Sequence, residues 1–390
     1  MTDPRRVVVV GASLAGLATA RALRAAGYDG DVTVIGDEPH RPYDRPPLSK
    51  GFVAGTLSVD DLSLETDDDL ALDWRLGERA VALDPGTRTV TLASGTLVPG
   101  DAVVVATGSH ARRLPGPPLA GVHTLRTLDD ALALRSELLP GARLVLVGAG
   151  FVGAEIASTA RGLGLDVTLV EAAPSPLAGP LGVEVGAMVA RLHDAHGVPL
   201  LTGVPVAGLA GRDRVSGVVL TDGRVLPADV VVVGVGSVAA TDWLAGSGLT
   251  IEAGGVACDA AGSTDAPGIW AVGDVAAWHD PSYAGRRRIE HWTDSLQRPA
   301  RTVAALLGGP VDDPLPAPYF WSEQYGVQVQ FAGRRLGDET VTIEAGAPET
   351  GDVLAVYRRG ETPVAVLGMN QPRLFGRIRR QLSTPVQEFA

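Results

Sequence analysis

The chain has 390 residues, 45% of them apolar, which predicts about two to three domains with sizeable cores. Its 33 basic and 45 acidic residues give a net charge of −12, which argues against broad nucleic-acid affinity. No apolar run approaches the ~18–20 residues of a membrane span, and the lone Cys258 rules out intramolecular dithiol chemistry.

Met1 leads into an apolar strand after a few polar residues, without a secretory signal, so a cytoplasmic location is expected. Residues Arg6 to Pro39 then read RVVVVGASLAGLATARALRAAGYDGDVTVIGDEP. A β-branched run, a glycine turn, an Ala/Leu-rich helix and a second β-branched run ending in acids form the dinucleotide-binding βαβ pattern. Gly11 lets the chain turn sharply, Gly16 lets the helix pack on the sheet, and the helix N-terminus is suited to a pyrophosphate. Ser13 stands where the strict pattern has its second glycine; its hydroxyl either donates to a phosphate or is tolerated. Gly36 ends the second strand, so Asp37 or Glu38 is the candidate ribose ligand.

The segment RPYDRPPLSK, Arg41 to Lys50, follows, stiffened by Pro42, Pro46 and Pro47. Lys50 is the only lysine beside 32 arginines. Lysine is a compact point charge whose pKa can move, whereas arginine is a planar fork; the plain alternative is one surviving surface lysine. Asp67–Asp69 reads as a solvated loop or helix end, and Thr87–Val98 as a hairpin turning at Ser94-Gly95. Val103 to Gly108, VVVATG, reads as a buried strand ending in the small turn Ala106-Thr107-Gly108.

Arg143 to Pro174 repeat the first pattern: RLVLVGAGFVGAEIASTARGLGLDVTLVEAAP, with Gly148, Gly150 and Gly153. Glu171 directly follows VTLV and suits a ribose 2′-hydroxyl; a 2′-phosphate would be repelled, and alanines follow in place of an arginine, so NADH is expected. Glu155, two residues after Gly153, at the least complements the helix dipole, worth ~0.3–1 kcal/mol. Two dinucleotide patterns in one chain suggest hydride transfer from a nicotinamide to a flavin.

Leu220–Leu226 reads as a hairpin around Asp222-Gly223, Val230–Val235 as a buried strand, and Cys258 in GGVACDAAG as a plain strand residue or a lone peroxide-reactive thiol. Gly268 to Asp274, GIWAVGD, is a strand ending in Gly273-Asp274. His279 and His291 lack ligand-spaced partners, so no metal is expected. Pro310, Pro314, Pro316 and Pro318 mark a linker, after which strands are expected near Val327–Ala332, Glu339–Glu344, Val353–Arg358 and Val364–Met369.

The ATG and GD turns, in this order with both glycine patterns, resemble those of two-dinucleotide flavoprotein reductases. RPYDRPPLSK, GFVGAE, EHW and YFWSEQYG narrow the resemblance to the FAD-dependent NADH:ferredoxin reductases of bacterial oxygenase and cytochrome P450 systems, over nearly the whole chain. It implies an α/β fold with two Rossmann-like domains, for FAD and NAD, of the glutathione-reductase-like type, plus a small C-terminal α/β domain. The expected boundaries are 1–112 with 240–308 for FAD, 113–239 for NAD and 309–390 for the C-terminal domain.

The resemblance implies FAD and NADH as cofactors, with Arg45 and Gly236 among their contacts and Asp274 on the ribityl chain. It puts Lys50 near flavin N5 with Glu155 as its partner. It brings Trp292 and Trp321 to the flavin face and its exposed edge; domain packing is the alternative for each. The implied partner is an acidic 2Fe–2S ferredoxin that feeds an oxygenase or P450. Docking it on an acidic chain needs a local basic patch. Candidates are Arg286–Arg288, Arg298, Arg301 and Arg334–Arg335, with Arg301 where the family has an arginine beside the flavin edge. A flavin oxidase or quinone reductase, and a redox-sensing flavoprotein like the apoptosis-inducing type, are the competing functions.

Overall fold

The structure, a computed structural model, describes residues 4–64, 70–279, 285–311 and 317–382. Asp67–Asp69, Pro314 and Pro316 lie outside them. The chain divides into two compact units. The first comprises Met1–Asp44, Leu62–His110 and Val238–Asp313; the second Arg45–Asp61, Ala111–Ser237 and Pro314–Ala390. Among the described residues no helix is long and apolar enough to cross a membrane.

The first unit is built on a five-stranded parallel sheet in the order Ile269–Ala271, Ala102–Val105, Arg6–Val10, Asp31–Gly36, Leu72–Leu76. Val7 to Val10 are at most 2% exposed, because both faces of this central strand are covered. That is why the strand reads as an unbroken valine run rather than an alternation. Helix Leu14–Ala25 returns over the sheet and packs against helix Trp292–Leu306. Thr89–Leu92 and Leu97–Pro99 form the expected hairpin, extended by Ala80–Asp84.

Cys258 ends the buried strand Gly255–Cys258, its Sγ donating to the Ala277 carbonyl at 3.5 Å. Burial pushes its pKa up to about 12, so it stays a thiol. A thiol without thiolate character is a poor peroxide nucleophile.

The second unit repeats the parallel arrangement. Its sheet runs Leu200–Thr202, Asp166–Glu171, Arg143–Val147, Val230–Val233, Val122–His123, with helix Phe151–Gly162 between the strands Arg143–Val147 and Asp166–Glu171. The hairpin at Asp222-Gly223 joins Val215–Leu220 to Val225–Pro227.

The C-terminal residues form an antiparallel sheet ordered Tyr319–Gln324, Val327–Gly333, Thr362–Met369, Asp352–Arg359, Thr340–Ala347, and helix Pro372–Leu382 buries Phe375 and Ile378. The four expected strands are present, each slightly longer. The segment Tyr319–Gln324, within YFWSEQYG, is not among the strands expected from the sequence pattern. It forms a fifth strand, pairing residue for residue from Tyr319↔Ala332 to Gln324↔Val327. Aromatic side chains favour a half-buried pleated surface, which is the environment this edge provides.

Candidate functional site

In the first unit, four sequence motifs meet at the carboxyl ends of adjacent parallel strands, where open α/β sheets bind ligands. Gly11 has φ +128°, and a β-carbon there would stand 2.0 Å from the Ala106 carbonyl oxygen. One at Gly16 would stand 1.8 Å from the Gly11 oxygen. The two glycines thus let the strand, the helix and the Ala106-Thr107-Gly108 turn approach closer than any side chain permits. The Thr107 hydroxyl donates to the Ala240 carbonyl at 2.8 Å, fixing that turn.

Gly273 abuts Ala15 of the first helix, where a β-carbon would lie 2.8 Å from the alanine methyl. Beside it the Asp274 carboxylate accepts from Ser109 Oγ at 3.2 Å and Ser295 Oγ at 3.4 Å. Asp37 is paired with Arg79 at 3.0 Å, and Glu38 accepts from the Tyr43 hydroxyl at 2.5 Å. The Trp292 indole N–H donates to Asp44 at 2.8 Å. A glycine turn, a helix N-terminus and a held carboxylate on one sheet edge fit an FAD: the turn and the helix start of Ser13 suit its pyrophosphate and Asp274 its polar chain.

In the second unit, Gly148 (φ +98°) comes so close to Gly234 that a β-carbon would lie 2.3 Å from its carbonyl oxygen, and Gly153 approaches Gly148 likewise, at 2.2 Å. Gly150 differs. A β-carbon there would meet nothing within 4 Å, so a substituent would occupy open space at the start of the helix. The Glu171 carboxylate accepts from the Ala149 N–H inside the turn and from the Ala173 N–H, each at 2.9 Å. This holds the acid at the strand end with capacity left on both oxygens for hydroxyls. Gly236 has φ +97°, and its carbonyl accepts from the Arg112 N–H at 2.9 Å. The arrangement fits NAD.

The second unit also contains Lys50 and Glu155. Pro46 and Pro47 open a 3₁₀ turn, Pro46–Ser49, as their fixed φ suits. The turn aims the Lys50 ammonium at three acceptors: Glu155 Oε2 at 2.6 Å, the Pro46 carbonyl at 2.8 Å and Ser49 Oγ at 3.2 Å. Glu155 is 6% exposed and takes further donors from Ser49 Oγ at 2.5 Å, Ser322 Oγ at 2.8 Å and the Glu323 N–H at 3.3 Å. The ion pair expected from the resemblance is therefore present in the fold. Arg45 donates to the Arg126 carbonyl.

The docking candidates separate by burial. Arg298 is only 5% exposed, bonded to Asp294 at 3.1 Å and lying over Trp278 at 4.6 Å. Its guanidinium is spent inside the unit and is withdrawn from the docking set. Arg286 pairs with Glu252, Arg288 with Glu290 and Arg335 with Glu339, so those charges are locally neutralised. Arg301 is half-buried, with Nε donating to the Ala260 carbonyl at 2.8 Å. Trp321 is half-buried and stacks on Tyr319 at 5.9 Å, and Tyr319 carries the Arg379 guanidinium at 4.0 Å.

Two features escaped sequence reasoning. Ser322 lies within YFWSEQYG, where only its contact to Glu155, distant in sequence, gives it meaning. Arg373, Arg377 and Arg380 are all exposed on helix Pro372–Leu382. Their spacing of four and three places them on one face, a signal the sequence did carry.

Residues 5–298 match the family described as pyridine nucleotide-disulphide oxidoreductase, and residues 319–387 match the reductase C-terminal family. The chlorobenzene dioxygenase ferredoxin reductase component of Cupriavidus sp. (strain PS12) is 38% identical, over 96% of this chain and 91% of its own length. The benzene 1,2-dioxygenase system ferredoxin–NAD(+) reductase subunit of Pseudomonas putida is 37% identical, over 97% and 93%. The crystal structure of the covalent putidaredoxin reductase–putidaredoxin complex superposes with a TM-score of 0.92 at 31% identity, covering 98% of this chain and 94% of that one.

Proposed function

Because the chain belongs to the pyridine nucleotide-disulphide oxidoreductase family, we propose that it is an NADH-dependent, FAD-containing ferredoxin reductase serving an oxygenase or cytochrome P450. The carrying observation is the presence of two dinucleotide turns and a Lys50–Glu155 ion pair in a chain whose one cysteine is buried as a thiol. A bound FAD would supply the chemistry that converts the two-electron hydride of NADH into single electrons for the iron–sulfur partner. The protein's share is alignment: Gly11, Gly16 and Asp274 hold one dinucleotide, Gly148, Gly150 and Glu171 the other, and Lys50 sets the electrostatics at the flavin ring. Cytochrome c reduction by NADH, with and without a 2Fe–2S ferredoxin, tests the reading. Strong stimulation by ferredoxin is expected; equal rates without it would favour a small-molecule reductase.

Glu171 makes the enzyme prefer NADH. Juxtaposing like charges costs several kcal/mol, so kcat/KM for NADPH is expected to be lower by ~100-fold or more. Equal values for the two nucleotides would remove Glu171 from the ribose site.

Docking runs through local arginines, and Arg301 is the single best position. Arg301→Glu raises the apparent KM for ferredoxin and flattens its salt dependence, since such attraction is screened over ~8 Å at physiological ionic strength. Ferricyanide reduction, which needs no protein docking, stays within experimental error. Equal losses in both assays would make Arg301 structural, and the exposed stripe Arg373, Arg377, Arg380 would become the next surface to test.

A further inference from the structure

One face of helix Phe151–Gly162 gathers two separate stretches of the second unit, Ser49–Lys50 and Phe320–Tyr325. Phe151, Glu155, Ser158 and Thr159 share that face by their spacing. The Phe151 ring meets Phe320 at 4.5 Å between centroids. Ser158 Oγ accepts from the Tyr325 N–H at 2.7 Å, and Thr159 Oγ1 donates to the Ser49 carbonyl at 2.8 Å. Between these anchors lies the Glu155 carboxylate, saturated by Lys50 and Ser49 on Oε2 and by Ser322 and the Glu323 N–H on Oε1.

The Ser322 hydroxyl has little freedom. Ser322 is fully buried, and the Gln324 amide donates to its oxygen at 3.2 Å. Its own proton is thereby directed at Glu155. The turn that follows is held as well: the Tyr325 hydroxyl meets His193 Nδ1 at 2.9 Å, and burial pushes the His193 pKa down to about 4, so the imidazole is neutral.

We propose that Ser322, from the C-terminal antiparallel sheet, and Ser49, beside Lys50, are positioning residues for the reaction. Each holds one oxygen of Glu155, and together they fix where the Lys50 ammonium stands. The C-terminal segment then contributes to flavin reduction itself. This rests on the reading that Lys50 serves the flavin, and it explains why a carboxylate so deeply buried keeps four donors when one cation would neutralise it. Without Ser322, Oε1 retains only the longer 3.3 Å contact, the carboxylate is held firmly on one oxygen alone, and the ammonium faces a less rigid partner.

Lys50, as the only lysine, allows a direct test. Protein grown with ¹⁵N-lysine gives one Nζ resonance, whose proton exchange with water reports how firmly the ammonium is held. Ser322→Ala is expected to speed that exchange by about 3- to 10-fold, the range of one hydrogen bond's typical net contribution. Ser322→Thr, which keeps the hydroxyl, restores it. In stopped flow, Ser322→Ala slows flavin reduction at saturating NADH while the Kd for NADH is unchanged. Should Ser322→Ala fail to fold, Ser49→Ala removes a donor from the other oxygen and is expected to loosen the ammonium similarly. Unchanged Nζ exchange in the folded variants overturns the proposal. Faster exchange in Ser322→Ala, reversed by Ser322→Thr, supports the clamp even if Lys50→Met leaves flavin reduction untouched; that last result would count against the flavin role of Lys50 alone.

Discussion

Lys50→Met slows flavin reduction by NADH at least about tenfold while FAD remains bound, a factor that needs only ~1.4 kcal/mol of lost transition-state stabilisation. Methionine keeps the length and apolar stem of the side chain and removes the charge. The Glu155 carboxylate is left with three donors, from Ser49, Ser322 and the Glu323 N–H. Breaking a fully buried pair costs ~3–5 kcal/mol. The cost here falls below that range, because the Lys50 side chain is 22% exposed and solvent screens part of the attraction. The melting temperature therefore drops measurably, but the fold persists. FAD is retained because its proposed ligands, Gly11, Gly16 and Asp274, make none of the Lys50 contacts. Lys50→Arg does not restore the rate. The ammonium meets acceptors in three directions, Glu155, Pro46 and Ser49, which a planar guanidinium cannot match. Stopped-flow flavin absorbance at saturating NADH decides the matter. An unchanged limiting rate in Lys50→Met would return the residue to a purely structural role.

What the sequence made legible follows from how local each signal is. A parallel strand buried on both faces needs apolar residues throughout, so Val7–Val10 and Leu144–Val147 announce themselves as runs. A backbone-to-backbone approach admits only glycine, so Gly11, Gly16, Gly148 and Gly153 mark the turns by their local spacing, although the carbonyls that Gly11 and Gly148 make room for, those of Ala106 and Gly234, are distant in sequence. The strand Tyr319–Gln324 was harder. The prolines before it read as linker, and its alternation puts aromatic Tyr319 and Trp321 opposite Phe320 and buried Ser322, which hides the usual apolar–polar rhythm. Ser322 itself carries no local signal, since its hydrogen bond spans 167 residues of sequence. Arg298 illustrates the converse: the spacing to Asp294 allowed an i, i+4 pair, but only the packing over Trp278 reveals that the charge is buried.

Gly11→Ala yields protein without FAD. The added methyl would stand 2.0 Å from the Ala106 carbonyl oxygen and 2.4 Å from its carbon, distances at which something must shift. Both sides of the clash are backbone. They are tied by the pairing Val10↔Val105 and by the Ala106 N–H donating to the Val10 carbonyl at 2.8 Å, so no side-chain rotation relieves it. The φ of +128° adds strain of order 1–3 kcal/mol for any residue with a β-carbon. The Ala106-Thr107-Gly108 turn must therefore move away from the strand that carries the glycine turn, and the site assembled from the two comes apart. The expected result is colourless protein that excess FAD does not reconstitute, with a lowered melting temperature. Gly150→Ala in the second turn is the matched contrast. Its backbone is not in the left-handed region and its β-carbon meets no protein atom within 4 Å, so fold and FAD content are retained. The methyl instead occupies space at the helix start, and the Kd for NADH rises by about tenfold, the equivalent of ~1.4 kcal/mol. Gly11→Ala protein that purifies with a full complement of FAD would show that the first turn is not the flavin site. Loss of FAD from Gly150→Ala as well would show that the two turns do not divide the cofactors as proposed.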